Sequence, residues 1–250
     1  MRRPPVAGRA VAAALGAAGL AAALGGCATT MQEAARLQLN DARIRAGEVP
    51  TRVSAAGSTV TVDRVAVVRD GGRIAFVVAV HNPGSRTVSD LPVSVGFRLA
   101  GGRRVYVNAQ SPLELSYFDA HLPAVTARGT LTWVYTTARR IPAHARPFAL
   151  VGPVAAPAAP PTGRLPAISA RAPAATTTSE LPVALRNLSG VPQYQLQVYA
   201  FARSAGRYVA AGSLTVPHLG SQSSRTLTLG LLGRPRGARV EVEALPTIFQ

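Results

Sequence analysis

Apolar residues occupy alternate positions through most of the chain after Ser58. Val60 and Val62 alternate with Thr59, Thr61 and Asp63. Ile74, Phe76, Val78 and Val80 share a face, and Leu91, Val93, Val95, Phe97 and Leu99 alternate with Pro92, Ser94, Gly96 and Arg98. A period of two sustained over such runs predicts half-buried β-strands. Leu131, Trp133 and Tyr135, spaced by threonine and valine, give another strand, and Phe148 and Leu150 a last one. The breaks between runs carry turn residues: Asp70-Gly71-Gly72, His81-Asn82-Pro83-Gly84 and Ala100-Gly101-Gly102. Residues 152–163, Gly-Pro-Val-Ala-Ala-Pro-Ala-Ala-Pro-Pro-Thr-Gly, read as a linker. Proline at this density predicts an extended spacer of roughly 35 Å.

Beyond the linker the pattern repeats. Phe76, Val78 and Val80 match Leu181, Val183 and Leu185 at an offset of 105. Asn82 with Asn187, Leu91 with Leu196, Val93 with Val198, Arg98 with Arg203 and Gly101 with Gly206 keep that offset. For the late strand an offset of 96 sets Trp133 opposite Leu229, which implies an insertion of about nine residues in the first copy, within Asn108–Asp119. Val240 and Val242, alternating with Glu241 and Glu243, supply the final strand. Short strands with Gly/Pro turns, twice over, predict an all-β chain of two tandem sandwiches, 51–151 and 164–250. Units of this size suit the immunoglobulin-like plan, although the Cys…Trp…Cys frame of antibody domains is missing.

The N-terminal 26 residues follow a different logic. Arg2, Arg3 and Arg9 precede an apolar, alanine-rich run from Val11 to Leu24, which leads into Gly25-Gly26-Cys27. A basic start, a short apolar stretch and small residues form a secretory signal, and the run is short for a transmembrane helix. Cys27 is the single cysteine. With its two preceding glycines it resembles the lipobox of bacterial lipoproteins. The resemblance implies cleavage between Gly26 and Cys27, a diacylglycerol thioether on Cys27, an acylated new N-terminus and an address on the exported side of the cell membrane or outer membrane. An ordinary secreted protein is the rival reading. Residues 27–50 are then a tether, with acidic Glu33 early, Arg43 and Arg45 late, and Ala34, Leu37 and Ile44 roughly on one face, as in a short helix.

The second half also resembles the FxLYD-type immunoglobulin-like modules of bacterial surface proteins, through Leu185-Arg186-Asn187-Leu188-Ser189-Gly190, Leu196-Gln197-Val198-Tyr199, Gly206-Arg207-Tyr208-Val209 and His218-Leu219-Gly220-Ser221-Gln222-Ser223. The first half, with Asn82-Pro83, Leu91-Pro92-Val93 and Phe97–Gly102, is similar to WHy and CARDB-like modules. These likenesses imply a fold and leave the activity open.

Charge narrows the class of partner. The chain carries 27 basic residues, all arginine, against 11 acids, a net +16. Three arginines leave with the signal. Residues 50–152 hold twelve arginines against five acids, and residues 153–250 nine against three. A basic exterior draws anionic surfaces, which for an exported chain means phospholipid head groups or acidic wall polymers; the plainer reading is a solvated face with generic attraction, its all-arginine bias reflecting GC-rich coding. The arginines are dispersed and lack aromatic interleaving, so nucleic acid is not an expected partner. The total absence of lysine excludes a Walker A loop, a Schiff-base lysine and the Ser-x-x-Lys pair, and acylation of Cys27 removes the thiol nucleophile. His81, His121, His144 and His218 lack paired spacing. Asp119-Ala120-His121 is a weak metal candidate whose plainer reading is a loop with a hydrogen-bonded histidine. No cofactor or catalytic set is expected.

Tyr194 shares the core parity of Leu196 and Val198, whereas Tyr199 and Phe201 point the other way with Gln195 and Gln197. The outward pair is a candidate partner interface; the alternative is packing against a third strand or the neighbouring domain. The expectation is therefore a non-enzymatic, membrane-anchored envelope lipoprotein that binds a protein or an anionic polymer. The alternative is a carrier holding an apolar ligand between its sheets.

Overall fold

The structure is a computed structural model that describes residues 52–57, 59–108, 117–139, 144–153 and 165–247. The signal, Cys27, the tether and most of the linker lie outside them. Within them the chain is all-β, apart from short 3-10 turns at Ala100–Gly102 and Tyr117–Asp119.

In the first half, β1 (Thr61–Asp70), β2 (Arg73–His81) and β6 (Thr130–Thr137) form one antiparallel sheet, with β2 central. The β1–β2 hairpin turns on Gly71 and Gly72, at φ 53° and 84°. Such a two-residue loop needs positive φ at both positions, which glycine adopts without strain. The facing sheet is built on β3 (Val88–Arg98). β4 (Arg104–Tyr106) and β5 (His121–Val125) pair with separate stretches of β3, and β7 (Arg146–Val151) also pairs with it. Between β4 and β5 the Asn108 side chain stands in for a strand. Its Oδ1 accepts from Val95 N at 2.8 Å, and its Nδ2 donates to Val93 O and Asp119 O, each at 2.9 Å. Phe76 of β2 meets Phe97 of β3 across the two sheets, with ring centroids 5.0 Å apart.

The second half repeats this plan. β8 (Ile168–Arg171), β10 (Glu180–Asn187) and β13 (Ser224–Gly230) form one sheet. The other comprises β9 (Ala175–Thr176), β11 (Gln193–Ser204), β12 (Arg207–Leu219), β14 (Leu232–Gly233) and β15 (Ala238–Leu245). Leu181, Val183, Leu185, Leu196, Val198 and Leu229 fill its core.

Strand register gives the repeat its true offsets. Gly96 pairs with Tyr106 as Phe201 pairs with Ala211, which keeps 105 through β4. Leu91 pairs with Leu122 as Leu196 pairs with Val216, which drops the later offset to 94. The first copy thus carries eleven extra residues between β4 and β5, where the second runs straight through as β12. Trp133 is the counterpart of Leu227, and Tyr135 that of Leu229, because their partners Val78 and Phe76 match Val183 and Leu181. This corrects the offset of 96 and the nine-residue length. Matching by residue size misjudged the register, since Trp133 and Leu227 differ in bulk.

The two asparagines confirm the equivalence chemically. Asn82 Nδ2 donates to Arg86 O at 2.8 Å, and its Oδ1 accepts from Gly84 N at 3.0 Å. Asn187 does the same with Val191 O at 2.8 Å and Ser189 N at 3.0 Å. Each also reaches a carbonyl late in its own copy: Val125 and Thr126 for Asn82, Gly220 for Asn187. These residues staple the loops that follow β2 and β10, which accounts for their near-complete burial.

A candidate anion-binding cleft at the junction of the two halves

The outer face of the β1–β2–β6 sheet packs against the outer face of the β11–β12–β15 sheet. Ala75, Val77 and Val134 from the first half join Tyr199, Phe201, Ala211 and Leu232 from the second in one buried cluster. Tyr199 and Phe201 are each 1% exposed. Their outward parity is as read from the sequence, and what covers them is the first half of the same chain. In this arrangement they offer no surface to a separate partner. Tyr194 departs from its core parity. It is half-buried against Val191 at the start of β11, next to Gln195 at φ 53°, and its ring lies 4.8 Å from that of His218.

Polar groups fill in the rim of this junction. Phe201 meets Tyr208 edge-on at 5.6 Å. The Arg203 guanidinium lies over both rings, at 5.1 Å and 4.6 Å, and donates through Nη2 to the Tyr208 hydroxyl at 2.7 Å. Arg64 of β1 approaches the same tyrosine from the other half, at 5.3 Å. Thr132 N, on the free edge of β6, donates to Glu243 Oε2 at 3.1 Å. Burial pushes the Glu243 carboxyl up to about 7 and Glu241 adds to the rise, against the hydrogen bonds from Thr132 and the charge of Arg203. Burial likewise pushes the Tyr135 hydroxyl up to about 12, with Asp119 contributing. Tyr199 is driven well above the usual phenol range by burial first and Asp119 second. The Trp133 indole beside its hydroxyl works against that rise, but the hydroxyl meets no partner at full hydrogen-bonding geometry, and Trp133 Nε1 donates to Phe118 O at 3.2 Å.

At one end the junction opens into a cleft of about 830 Å³. The first half contributes Arg69, Arg73 and Arg139, and the second Arg234 and Arg236. All five side chains are exposed. Among the described residues lining the cleft the one acid is Asp70, and its Oδ2 already accepts from Gly233 N at 3.2 Å. Gly233 is what lets the halves come this close. At φ 94°, a Cβ there would lie 2.3 Å from Val209 O and 2.6 Å from Val68 Cγ1. The sequence hid this constellation, since its arginines come from three stretches far apart in the chain. Only the Arg-Pro-Arg run at 234–236 and the arginines bracketing the Asp70-Gly71-Gly72 turn are local signals.

The remaining candidates are placed elsewhere. Asp119 ends a 3-10 turn, and His121 opens β5. The His121 ring stacks on Tyr117 at 4.1 Å, and its Nδ1 is 3.1 Å from Tyr117 O. Tyr117 hydrogen-bonds Asp90 through its hydroxyl. His121 is thus a hydrogen-bonded histidine as expected, at the first position of a strand and not in a loop. Among the described residues no three metal-ligating side chains come together, and no helix is long and apolar enough to cross a membrane. Gly26 and Cys27 lie outside the described residues.

No family model matches the chain, and no curated protein does. Among solved structures it is similar at a distance to the C-terminal globular domain of an oligosaccharyltransferase from Pyrococcus abyssi, with 10% identity over 81% of this chain and a TM-score of 0.25. A red sea bream transglutaminase matches with 14% identity over 72% of the chain and a TM-score of 0.20. The chain spans about half the length of the first, at 51%, and 29% of the second. Likenesses at this level carry no argument about activity.

Proposed function

We propose that this chain is a non-enzymatic, membrane-anchored envelope lipoprotein whose two immunoglobulin-like sandwiches dock together and bind an anionic envelope component. The observation that carries the reading is the cleft with five arginines, to which both halves contribute. Guanidinium groups stay protonated at any physiological pH. A cleft lined by them supplies charge and fixed hydrogen-bond donors, which suits binding, and its one carboxylate, Asp70, is engaged with the Gly233 amide. The Gly25-Gly26-Cys27 signal supports the address. The carrier alternative needs space between the sheets of a sandwich. In the first sandwich that space is taken by Phe76, Phe97, Trp133 and Tyr135, all buried and in ring contact.

The test is fractionation with co-purification. Wild-type protein is expected in the detergent phase with Cys27 as its first residue, and Cys27→Ala as a soluble or unprocessed form. Affinity capture from native membranes should recover an anionic component. A wild-type protein that is wholly soluble and begins at another residue would end the lipoprotein reading.

A further inference from the structure

We infer that the junction cleft is a phosphate site, taking the phosphate groups of a phosphodiester or pyrophosphate ligand. The inference rests on the binding role proposed above and names its ligand chemistry. Five arginines and one carboxylate line the cleft, and that carboxylate is engaged with the Gly233 amide. The lining therefore carries a formal surplus of four positive charges. Like charges gathered in a cleft repel one another, so a bound anion relieves a cost that the empty cleft sustains. Each guanidinium presents five N–H donors in a planar fork, while one carboxylate accepts at about four sites. A single carboxyl group leaves most of this donor set unused. Phosphate oxygens accept forked hydrogen bonds from several arginines at once, the geometry for which arginine is favoured over lysine. The volume of about 830 Å³ exceeds what one phosphate fills and suits a ligand with more than one charged unit.

The cleft also has a built rim. The hairpin turn at Gly71 and Gly72 has no side chain at its mouth, and a Cβ at either would meet nothing within 4 Å. Approach from solvent is open on that side. Arg69 and Arg73 flank the turn, and Arg139 follows the end of the neighbouring strand β6. Arg234 and Arg236 reach the cleft from the loop between β14 and β15. Because the walls belong to both halves, binding requires the docked arrangement and strengthens it.

The test uses the full chain in neutral detergent at low salt, titrated by calorimetry with four probes. These are inorganic pyrophosphate, glycerophosphoglycerol (the water-soluble headgroup of phosphatidylglycerol), a poly(glycerol phosphate) and poly-glutamate. The phosphate probes should bind, weaken as salt is raised, and raise the melting temperature. Poly-glutamate should bind at least about tenfold more weakly per charge. Tighter binding of the headgroup assigns a lipid source, and tighter binding of the polymer a wall source. The triple variant Arg73→Ala/Arg139→Ala/Arg234→Ala should weaken phosphate binding at least about tenfold. Arg171→Ala/Arg186→Ala/Arg225→Ala removes the same charge from exposed positions on the far sheet and should change it by less than about twofold. Equal losses in both triples, or poly-glutamate binding as tightly as phosphate, would overturn the site in favour of generic basic attraction. Detergent partitioning and the Cys27-dependent address do not depend on the outcome, so failure here is distinguishable from failure of the proposed function.

Discussion

Replacing Phe201 by alanine tests whether the two halves form one body. Phe201 belongs to the second sandwich by chain position, yet it lies in the cluster built on the first, 1% exposed, with its ring edge-on to Tyr208. It faces away from the Leu181–Leu185 core of its own sandwich. If the halves dock as described, truncation leaves a void between sheets, and the loss is that of a buried aromatic, about 3–5 kcal/mol. For a cooperative body of this size each kcal/mol moves the melting temperature by about 2–4 °C, so the expected drop is roughly 6–20 °C. Circular dichroism melts and urea titrations of the wild type and variant measure it. The same variant should be cut faster by protease between residues 152 and 163, because weaker docking lets the two halves separate. If the halves move independently, Phe201 is a solvent-exposed strand residue and its truncation costs less than about 1 kcal/mol. A shift that small, with unchanged proteolysis, would refute the docked arrangement and dissolve the cleft with it.

Three further outcomes follow from the same contacts. Tyr199→Phe removes a buried hydroxyl that has no hydrogen bond, so it should leave stability unchanged or raise it by up to about 1 kcal/mol in urea melts; a clear loss would mean that the hydroxyl is bonded. Glu243 rises from 4.5 to about 7 on folding, so the folded state holds an extra proton between those values. Stability should be fullest below about pH 4.5 and fall through pH 7 by at most about 3 kcal/mol, and Glu243→Gln should flatten that slope in melts run across the range. Asn108→Ala deletes three backbone hydrogen bonds at a site 1% exposed and strands Val95 N–H and Val93 C=O. It should cost about 2–4 kcal/mol by chemical denaturation.

Strand existence was legible because period two is a local signal, and β2, β3, β6 and β10 fall where the alternation set them. The repeat was legible for the same reason. Its later offset was not, because register after an insertion depends on which backbone groups pair, and side-chain size does not report that. Tyr194 misled because Gln195 takes a positive φ at that point, a local kink that parity cannot foresee. The parity of Tyr199 and Phe201 was sound, but which body covers a face is set by long-range docking. The cleft was the least legible feature of all. Its arginines stand in different turns of both halves, and only the β1–β2 hairpin and the close approach at Gly233 bring them together.

One signal of docking was nonetheless written in the chain, in the contrast between strands. β10 alternates cleanly, with Leu181, Val183 and Leu185 buried and Pro182, Ala184 and Arg186 exposed. That is how a strand with one wet face reads. β2 instead runs Ile74-Ala75-Phe76-Val77-Val78 without a polar residue, and β11 runs Val198-Tyr199-Ala200-Phe201-Ala202. Every one of these residues is buried. A continuous apolar run of strand length marks a strand covered on both faces. The economical assembly therefore sets the sheets of these two doubly apolar strands against each other and leaves the alternating β10 sheet outside. Small residues on the meeting faces, Ala75 and Ala211 among them, let the sheets approach. The arginine cleft then sits at the rim of an interface that the apolar pattern itself demands. Its charge is held in place by burial elsewhere, and a ligand bridging its walls would pull on the same equilibrium that Phe201 and Glu243 set.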